Sequence, residues 1–497
     1  MTATVWVLGT STLSGITRWR EVRWVLLAGV SLLGIAALRM PVLDLALWGG
    51  LAGSLLCILF AERCGRLHIP LLTRALTWGV LWAAVASAVI AGCQFSGLLK
   101  EPATWMPWLH ASPSEEAYGQ LRQRNQFGSL VSLGLAAWFY LAHTGWSCRG
   151  GRWLAWGTLL TLILGAVASS SRTGALTWCA LAWVGMAWTA PQAASTPGPS
   201  ARAGAGAALI GFVTLCWILP GVVMSFNTVE LPKASAFERL ATQPEGLGIC
   251  ESRVVLWRHV LELSLQQPWF GWGWGELDLA HATQPVQGER FCGQLGNAHT
   301  LLLQVAVEWG WPLALAGLGV VAIWLRRHPP WRAHTPRAVL GWCWLGVIGF
   351  HSLLEFPLWY GPFQMLLGLS LGLIHRHSDA PPTPPPSPST APSGLNTVLA
   401  LWLTCIVWAG WDYHRVSQVF QPAAQRSSSC RLQPLSCLDE VVWFHQARDF
   451  ARLRLVRDQL SPDDTQNLAQ RVAHYAPEPW VLALRSTPTV IPTPSKP

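Results

Sequence analysis

The stretch RWLAWGTLLTLILGAVASSSRTGALTWCALAWVGMAWTA (152–190) decides the fold. Two apolar runs, 152–169 and 173–190, flank a short polar turn, Ser169-Ser170-Ser171-Arg172-Thr173-Gly174. A bilayer core demands about 20 mostly apolar residues per helical span, and both runs approach that length. Similar runs recur near 22–39, 42–60, 71–93, 127–145, 204–224, 300–325, 337–356, 361–376 and 395–412. The pattern predicts an all-α polytopic membrane protein with about 11 transmembrane helices, within a range of 10–12. The runs 173–190 and 361–376 are short enough to tilt or re-enter.

Composition agrees. Hydrophobic residues make up 51% of the 497 and charged residues 12%, about half the charge of a soluble domain. That excludes an ordinary soluble enzyme, and it excludes disorder, which needs low hydrophobicity and high charge. A net charge of +9 points to nucleic acid only if the basic residues gather on one soluble face. They do not. They fall into alternate short loops, with Arg18, Arg20, Arg63, Arg66, Arg149, Arg152, Arg202, Arg326, Arg327 and Arg332 on one side. Arg39, Lys100, Arg122, Arg124 and Arg172 lie on the other. The positive-inside rule then puts the N-terminus in the cytoplasm. The C-terminus falls outside, which is the periplasm for a bacterial inner-membrane protein. The first twenty residues do not read as a cleavable signal, so the first apolar run is expected to stay as a signal-anchor. Trp is abundant, 32 residues against 5 Tyr, and favours the membrane interface.

The expected division is helices one to seven over 1–224, a large periplasmic loop over 225–298, and helices eight to ten over 299–376. A Pro-rich cytoplasmic linker follows at 377–394, extended by its fixed φ angles. The last span is 395–412, and a small helical periplasmic tail occupies 413–497. The loop contains an amphipathic helix from about Glu251 to Gln267. In the tail, Ser461-Pro462-Asp463-Asp464 reads as a helix start, with Ser as N-cap and Pro at the first position. Cys250 and Cys292 lie in the loop, and Cys430 and Cys437 in the tail. An oxidising compartment favours pairing each couple. No cysteine spacing reads as a zinc site, and no metal site is expected.

The unusual polar residues lie on the outer side. Arg172 sits in an outer turn, where Arg is disfavoured, beside hydroxyls and a helix N-terminus that suit an anion. The alternative is a snorkelling Arg that anchors the turn. Arg253 and Arg258 are five residues apart on the loop helix, so they point about 140° apart and are not expected to share a ligand. His299 precedes a long apolar run, whose positive end favours a neutral imidazole, the form a general base needs. An interfacial His bonded to water is the plainer alternative. Glu308 faces away from His299 round that helix, so a structural partner is expected for it, an Arg or an amide on a neighbouring span. Glu355 ends another span, in HSLLEFPLWY (351–360), where Pro357 stops the helix and Trp359 and Tyr360 suit the interface. Arg124-Asn125-Gln126 opens the fourth span, either capping the helix or binding a sugar.

Five pieces carry a resemblance. They are RNQF (124–127), SSSRTGAL (169–176), SRVVLWRHVLELSLQQPWFGWGWGE (252–276), NAHTLLLQVAVEWG (297–310) and HSLLEFPLWYGPF (351–363). In order and spacing the chain resembles the bacterial superfamily of O-antigen ligases, O-antigen polymerases and O-linked oligosaccharyltransferases, most of all the pilin-type branch. Thr300 stands where that family usually has Asn after the His. The resemblance implies transfer of a glycan from undecaprenyl pyrophosphate to a Ser/Thr hydroxyl of a periplasmic, pilin-like protein, or to lipid A–core. It implies that Arg172 and Arg253, with Arg124, hold the pyrophosphate. It implies that His299 orients or deprotonates the acceptor, and that Gln126, Tyr360 and Glu355 contact substrate. It implies inversion with neither metal nor cofactor. An O-antigen ligase and then a polymerase are the alternatives within the family. A lipid-linked glycan transporter is the alternative outside it, though no inverted repeat is visible.

Overall fold

The computed structural model describes residues 45–66, 70–99, 109, 117–146, 150–187, 199–226, 249–375 and 393–486. The expected signal-anchor at 22–39, the Pro-rich linker up to 392 and most of 225–248 lie outside these residues. The described chain is all-α, with no strand. In order it runs α1 (Leu45–Arg66), α2 (Pro70–Phe95), α3 (Arg124–Thr144), α4 (Gly151–Ser169), α5 (Arg172–Ala187) and α6 (Ala201–Phe226). Then come α7 (Arg253–Gln266), α8 (Leu277–Thr283), α9 (Leu301–Trp309), α10 (Trp311–Arg327), α11 (Pro336–Leu354) and α12 (Gly361–His375). The long α13 (Ser393–Phe420) leads into a tail of α14 (Ser428–Leu432), α15 (His445–Val456), α16 (Pro462–Ala473) and α17 (Pro479–Ser486). Among the described residues, five helices are long and apolar enough to cross a membrane: Leu71–Phe95, Arg124–Thr144, Gly151–Ser169, Ala201–Leu219 and Pro336–Leu354. The protein is a polytopic membrane protein.

α3 is the centre of the bundle. Most of its length is buried, against α2, α4, α5 and α11. Small residues let the backbones approach, as membrane helix packing requires. A Cβ on Gly128 of α3 would stand 3.0 Å from the Gly174 Cα of α5. This contact lays the first turns of α3 and α5 side by side. Tryptophan has a second use here besides the interface. Trp138, Trp178 and Trp344 are fully buried. Their indole N–H groups donate to the carbonyls of Ala155 (2.8 Å), Ala208 (3.1 Å) and Leu133 (3.1 Å), tying neighbouring helices. Trp153, Trp183, Trp217 and Trp331 remain exposed on the outside of the bundle.

The run 300–325 is not one helix. It breaks at Gly310, between α9 and α10. The cause lies some forty residues upstream. Gly310 has φ +89°, and a Cβ there would stand 2.3 Å from the Trp269 carbonyl oxygen. The reciprocal Gly271, φ +65°, would clash with the Glu308 carbonyl at 2.5 Å. Backbone bonds Trp272 N–H to Val307 O (2.8 Å), Gly273 N–H to Glu308 O (3.0 Å) and Trp311 N–H to Pro268 O (2.8 Å) close the junction. α9 therefore packs with the segment that precedes it. Leu256, Val260 and Leu263 of α7, Leu277 and Ala280 of α8, Leu295, Ala298 and Val307 form one small core. Cys250 and Cys292 are joined by a disulfide beside it. Glu308 accepts from the Gln304 amide (2.9 Å) and the Gly275 N–H (3.0 Å), a structural role.

The tail has its own core of Phe450, Leu453, Leu468, Val472 and Val481, to which Leu279 of α8 contributes. Ser461 caps α16, accepting from Asp464 N–H at 3.1 Å, with Pro462 at the first position. Asp412 of α13 accepts the backbone N–H groups of Val442, Trp443 and Phe444, so α13 and the tail meet as one piece. Cys430 and Cys437 are joined by a second disulfide.

Candidate active site

Three helix ends and one loop residue meet around Glu355. The residue follows α11, where Pro357 prevents the helix from continuing. Its backbone N–H still bonds the His351 carbonyl (2.8 Å), which holds it against the helix end. The side chain is 2% exposed. Burial of a carboxylate is costly unless donors surround it, and here they do. Oε1 accepts from an Arg253 Nη2–H and from Asn125 Nδ2 (2.9 Å). Oε2 meets His299 Nδ1 at 2.7 Å and Gln123 Nε2 at 3.4 Å. An ionised carboxylate only accepts, so His299 carries its proton on Nδ1 and presents Nε2 as the basic nitrogen. Arg253 donates a second bond, Nη1 to the Leu354 carbonyl (3.1 Å).

Local sequence explains how each group arrives. Ser252 caps α7 by accepting from Val255 N–H (3.2 Å), which fixes Arg253 at the first helical position. Arg258 points elsewhere and is exposed, as the helical spacing requires. His299 has φ +51°, a left-handed conformation that a non-glycine residue rarely adopts. The Asn297 side chain stabilises it by accepting the His299 N–H at 2.9 Å. Gln304 reaches back to accept the Ala298 N–H (2.6 Å), so the start of α9 is pinned without a side-chain cap from Thr300.

Arg172 opens α5 and is exposed. Its neighbour Ser171 accepts from the Gly174 N–H (3.0 Å), capping α5, and donates to Asn125 Oδ1 (2.8 Å). Asn125 then donates to Glu355. Three successive side-chain hydrogen bonds thus connect the Arg172 turn to His299, through Asn125 and Glu355. Arg124 begins α3 next to Asn125 and is half-buried. Gln126 is 4% exposed and buried in the bundle; within α3 it is its neighbour Asn125 whose amide reaches the cluster. Tyr360 and Trp359 are exposed and belong to an aromatic group beside the histidine. Phe356 meets the His299 ring edge-on at 5.1 Å and stacks with Tyr360 at 6.1 Å. Glu355 lies beneath the arginine and the histidine, at 2% exposure against their 36% and 28%. Gln123 and Ser171 are partners that sequence reasoning left unassigned, and Asn125, read there as a helix cap or a sugar ligand, hydrogen-bonds the carboxylate. Among the described residues, no group of three or more His, Cys, Asp or Glu is placed to hold a metal ion.

Residues 157–318, which carry Arg172, Arg253 and His299, match the family described as O-Antigen ligase. Residues 339–486, which carry Glu355 and most of the tail, match the family described as Virulence factor membrane-bound polymerase, C-terminal. The general O-oligosaccharyltransferase of Acinetobacter baylyi is 23% identical over 289 residues. The chain is thus similar, over separate stretches, to O-antigen ligases, to membrane-bound polymerases and to an O-oligosaccharyltransferase. The match to the Acinetobacter protein covers 52% of this chain and 47% of the relative, about half of its length. Each family match includes part of the Glu355 cluster, while Asn125 and Gln123 lie outside both matched stretches.

Proposed function

We propose that this protein is an inner-membrane O-oligosaccharyltransferase. It moves a glycan from undecaprenyl pyrophosphate to a Ser/Thr hydroxyl of a periplasmic protein of the pilin type. The observation that carries the reading is the clamp of Arg253 and His299 on the buried Glu355, hydrogen-bonded through Asn125 to the turn bearing Arg172. The site end of the bundle then faces the periplasm, as the charge asymmetry of the loops favours. Both disulfides belong to that oxidising side.

In this reading Arg172, Arg253 and Arg124 bind the pyrophosphate, to which the planar guanidinium is suited. His299 Nε2 takes the proton of the acceptor hydroxyl as its oxygen attacks the anomeric carbon. The bond from that carbon to the pyrophosphate oxygen breaks, and attack opposite the leaving group inverts the centre. The arginines stabilise the charge that develops on undecaprenyl pyrophosphate. Tyr360 and Trp359 offer aromatic faces to the sugar next to the reacting carbon. No metal or cofactor has a part in these steps.

A second reading, an O-antigen ligase acting on lipid A–core, is favoured by the description of the family matched at 157–318. One assay separates the two. Purified protein in lipid nanodiscs receives lipid-linked glycan together with either a pilin-type acceptor or lipid A–core. Glycosylated pilin supports the proposal, and transfer to lipid A–core alone moves the protein to the ligases. Absence of transfer to either, with the protein folded and the donor bound, overturns both readings.

A further inference from the structure

We propose that Glu355 is a positioning residue that couples donor binding to the activation of His299. The inference rests on the reading above, in which Arg253 binds the donor pyrophosphate. Glu355 divides its two oxygens between a guanidinium and an imidazole. Oε1 faces the Arg253 guanidinium, and Oε2 faces His299 Nδ1. The carboxylate is inside, at 2% exposure, while Arg253 and His299 are 36% and 28% exposed and open outward. A ligand arriving from that side meets the arginine and the histidine, not the carboxylate.

Without donor, the charge of Glu355 is shared. Arg253 neutralises part of it, and what remains for His299 is correspondingly less. A guanidinium has five N–H donors, and two of them are spent on Leu354 O and Glu355 Oε1. A pyrophosphate is a stronger and more highly charged partner, with oxygens spaced for bidentate binding. When it draws Arg253 outward, Glu355 keeps Asn125 and Gln123 as neutral donors. Its negative charge then falls on the histidine. That charge stabilises the imidazolium formed when Nε2 takes the acceptor proton, because a neighbouring anion favours a cationic group. His299 becomes the stronger base when a donor is in place. No external proton or electron is required. The acceptor proton ends on Nε2, the Nδ1 proton stays hydrogen-bonded to Oε2, and the electron pair of the broken bond leaves with the pyrophosphate.

Asn125 adds the second limb. Its amide N–H donates to Glu355, and its carbonyl accepts from Ser171, next to Arg172. A ligand that shifts the Arg172 turn therefore acts on the same carboxylate.

The test uses full-length protein in nanodiscs, with inorganic pyrophosphate as the probe. Histidine labelled with ¹⁵N reports the Nδ1–H of His299, identified by its loss in H299Q. The expected result is a downfield movement of that signal as pyrophosphate binds to wild type, with no comparable movement in E355Q. A signal that stays still while pyrophosphate binds, an equal movement in E355Q, or failure of pyrophosphate to bind overturns the proposal. The second readout is the pH profile of transfer. In wild type the acidic midpoint of kcat is expected about one pH unit above that of kcat/KM for the donor. In E355Q the gap narrows, whereas a merely structural glutamate would leave it unchanged. An intact pyrophosphate response with no transfer to pilin removes the acceptor reading and leaves the coupling standing. Transfer with an E355Q gap equal to wild type does the reverse.

Discussion

Among the described residues, two histidine–carboxylate pairs have almost the same geometry. His299 Nδ1 lies 2.7 Å from Glu355, and His474 Nδ1 lies 2.9 Å from Glu276. The histidines are also about equally exposed, 28% and 22%. Their surroundings differ. The first carboxylate also takes an arginine and two amides, and an aromatic group flanks the ring. The second joins the tail to the α8 segment, next to the apolar contact of Leu279 with the tail core. A histidine on a carboxylate is therefore common currency between a reacting site and a clasp. What separates them is the convergence of an arginine and two amides, besides the histidine, on one buried oxygen pair.

The comparison is broken most directly at the histidines. H299A is expected to lower transfer to the pilin acceptor by about 10²–10⁴-fold, the usual contribution of a general base. H474A is expected to leave kcat within about threefold of wild type, since its ring lies outside the reacting geometry. Turnover assays on both proteins, with circular dichroism to show folding, check the pair. Equal losses would remove the distinction between site and clasp. The next largest effect is expected at the carboxylates. E355Q should cost about 10²-fold in kcat, because a misoriented base loses near-attack geometry, while E276Q should cost little.

The clasp should instead respond in stability. H474A leaves a largely buried Glu276 without its partner, and a lost buried hydrogen bond costs about 1–3 kcal/mol. Hydrogen exchange on α8 and α16 reads that loss locally. Unchanged protection in both helices would show that the pair holds nothing together.

The smallest effect is one of pH. Burial pushes the Asp278 carboxyl up to about 7, opposed by the Leu279 N–H and assisted by Glu276, with His474 opposing. A carboxyl raised in the folded state binds its proton more tightly there than in the unfolded chain, at about 3.9. Stability from this group is thus complete below about pH 4 and is lost as pH rises toward about 7. Exchange protection of α8 is expected to fall between pH 5 and pH 7.5 in wild type. D278N should flatten that slope; an unchanged slope would assign it to another group.

Much of the membrane architecture is legible in sequence because a bilayer imposes a length. Runs of apolar residues near 20 long announce α2, α3, α4, α6 and α11. The break at Gly310 is not legible, since its cause is the Trp269 carbonyl, distant in sequence. Within the site, the angular argument holds for Arg253 and Arg258, which share a helix and diverge. It also holds for Glu308, which finds an amide on its own helix and not the histidine. Glu355 is singled out by the sequence, but its pairing with Arg253 and His299 is out of reach. Its arginine partner is 102 residues away and its histidine partner 56, and no periodicity spans such separations. The side chain that bonds the cluster from α3 belongs to Asn125, while its neighbour Gln126 is turned into the bundle. A difference of one residue on a helix is settled by about 100° of rotation, which requires knowing the helix's neighbours.

The facing glycines at 271 and 310 bear on how this protein can be recombined with its relatives. A side chain on either glycine would collide with the backbone of the other stretch, and three backbone hydrogen bonds run between 268–273 and 307–311. The two stretches form a lock and its key. A chimera that exchanges the α7–α8 region alone, in search of a new acceptor preference, would pair a foreign turn with a native notch. Exchange of 249–311 as one cassette keeps the junction intact and carries Arg253 and His299 together, leaving Glu355 in the recipient to receive them.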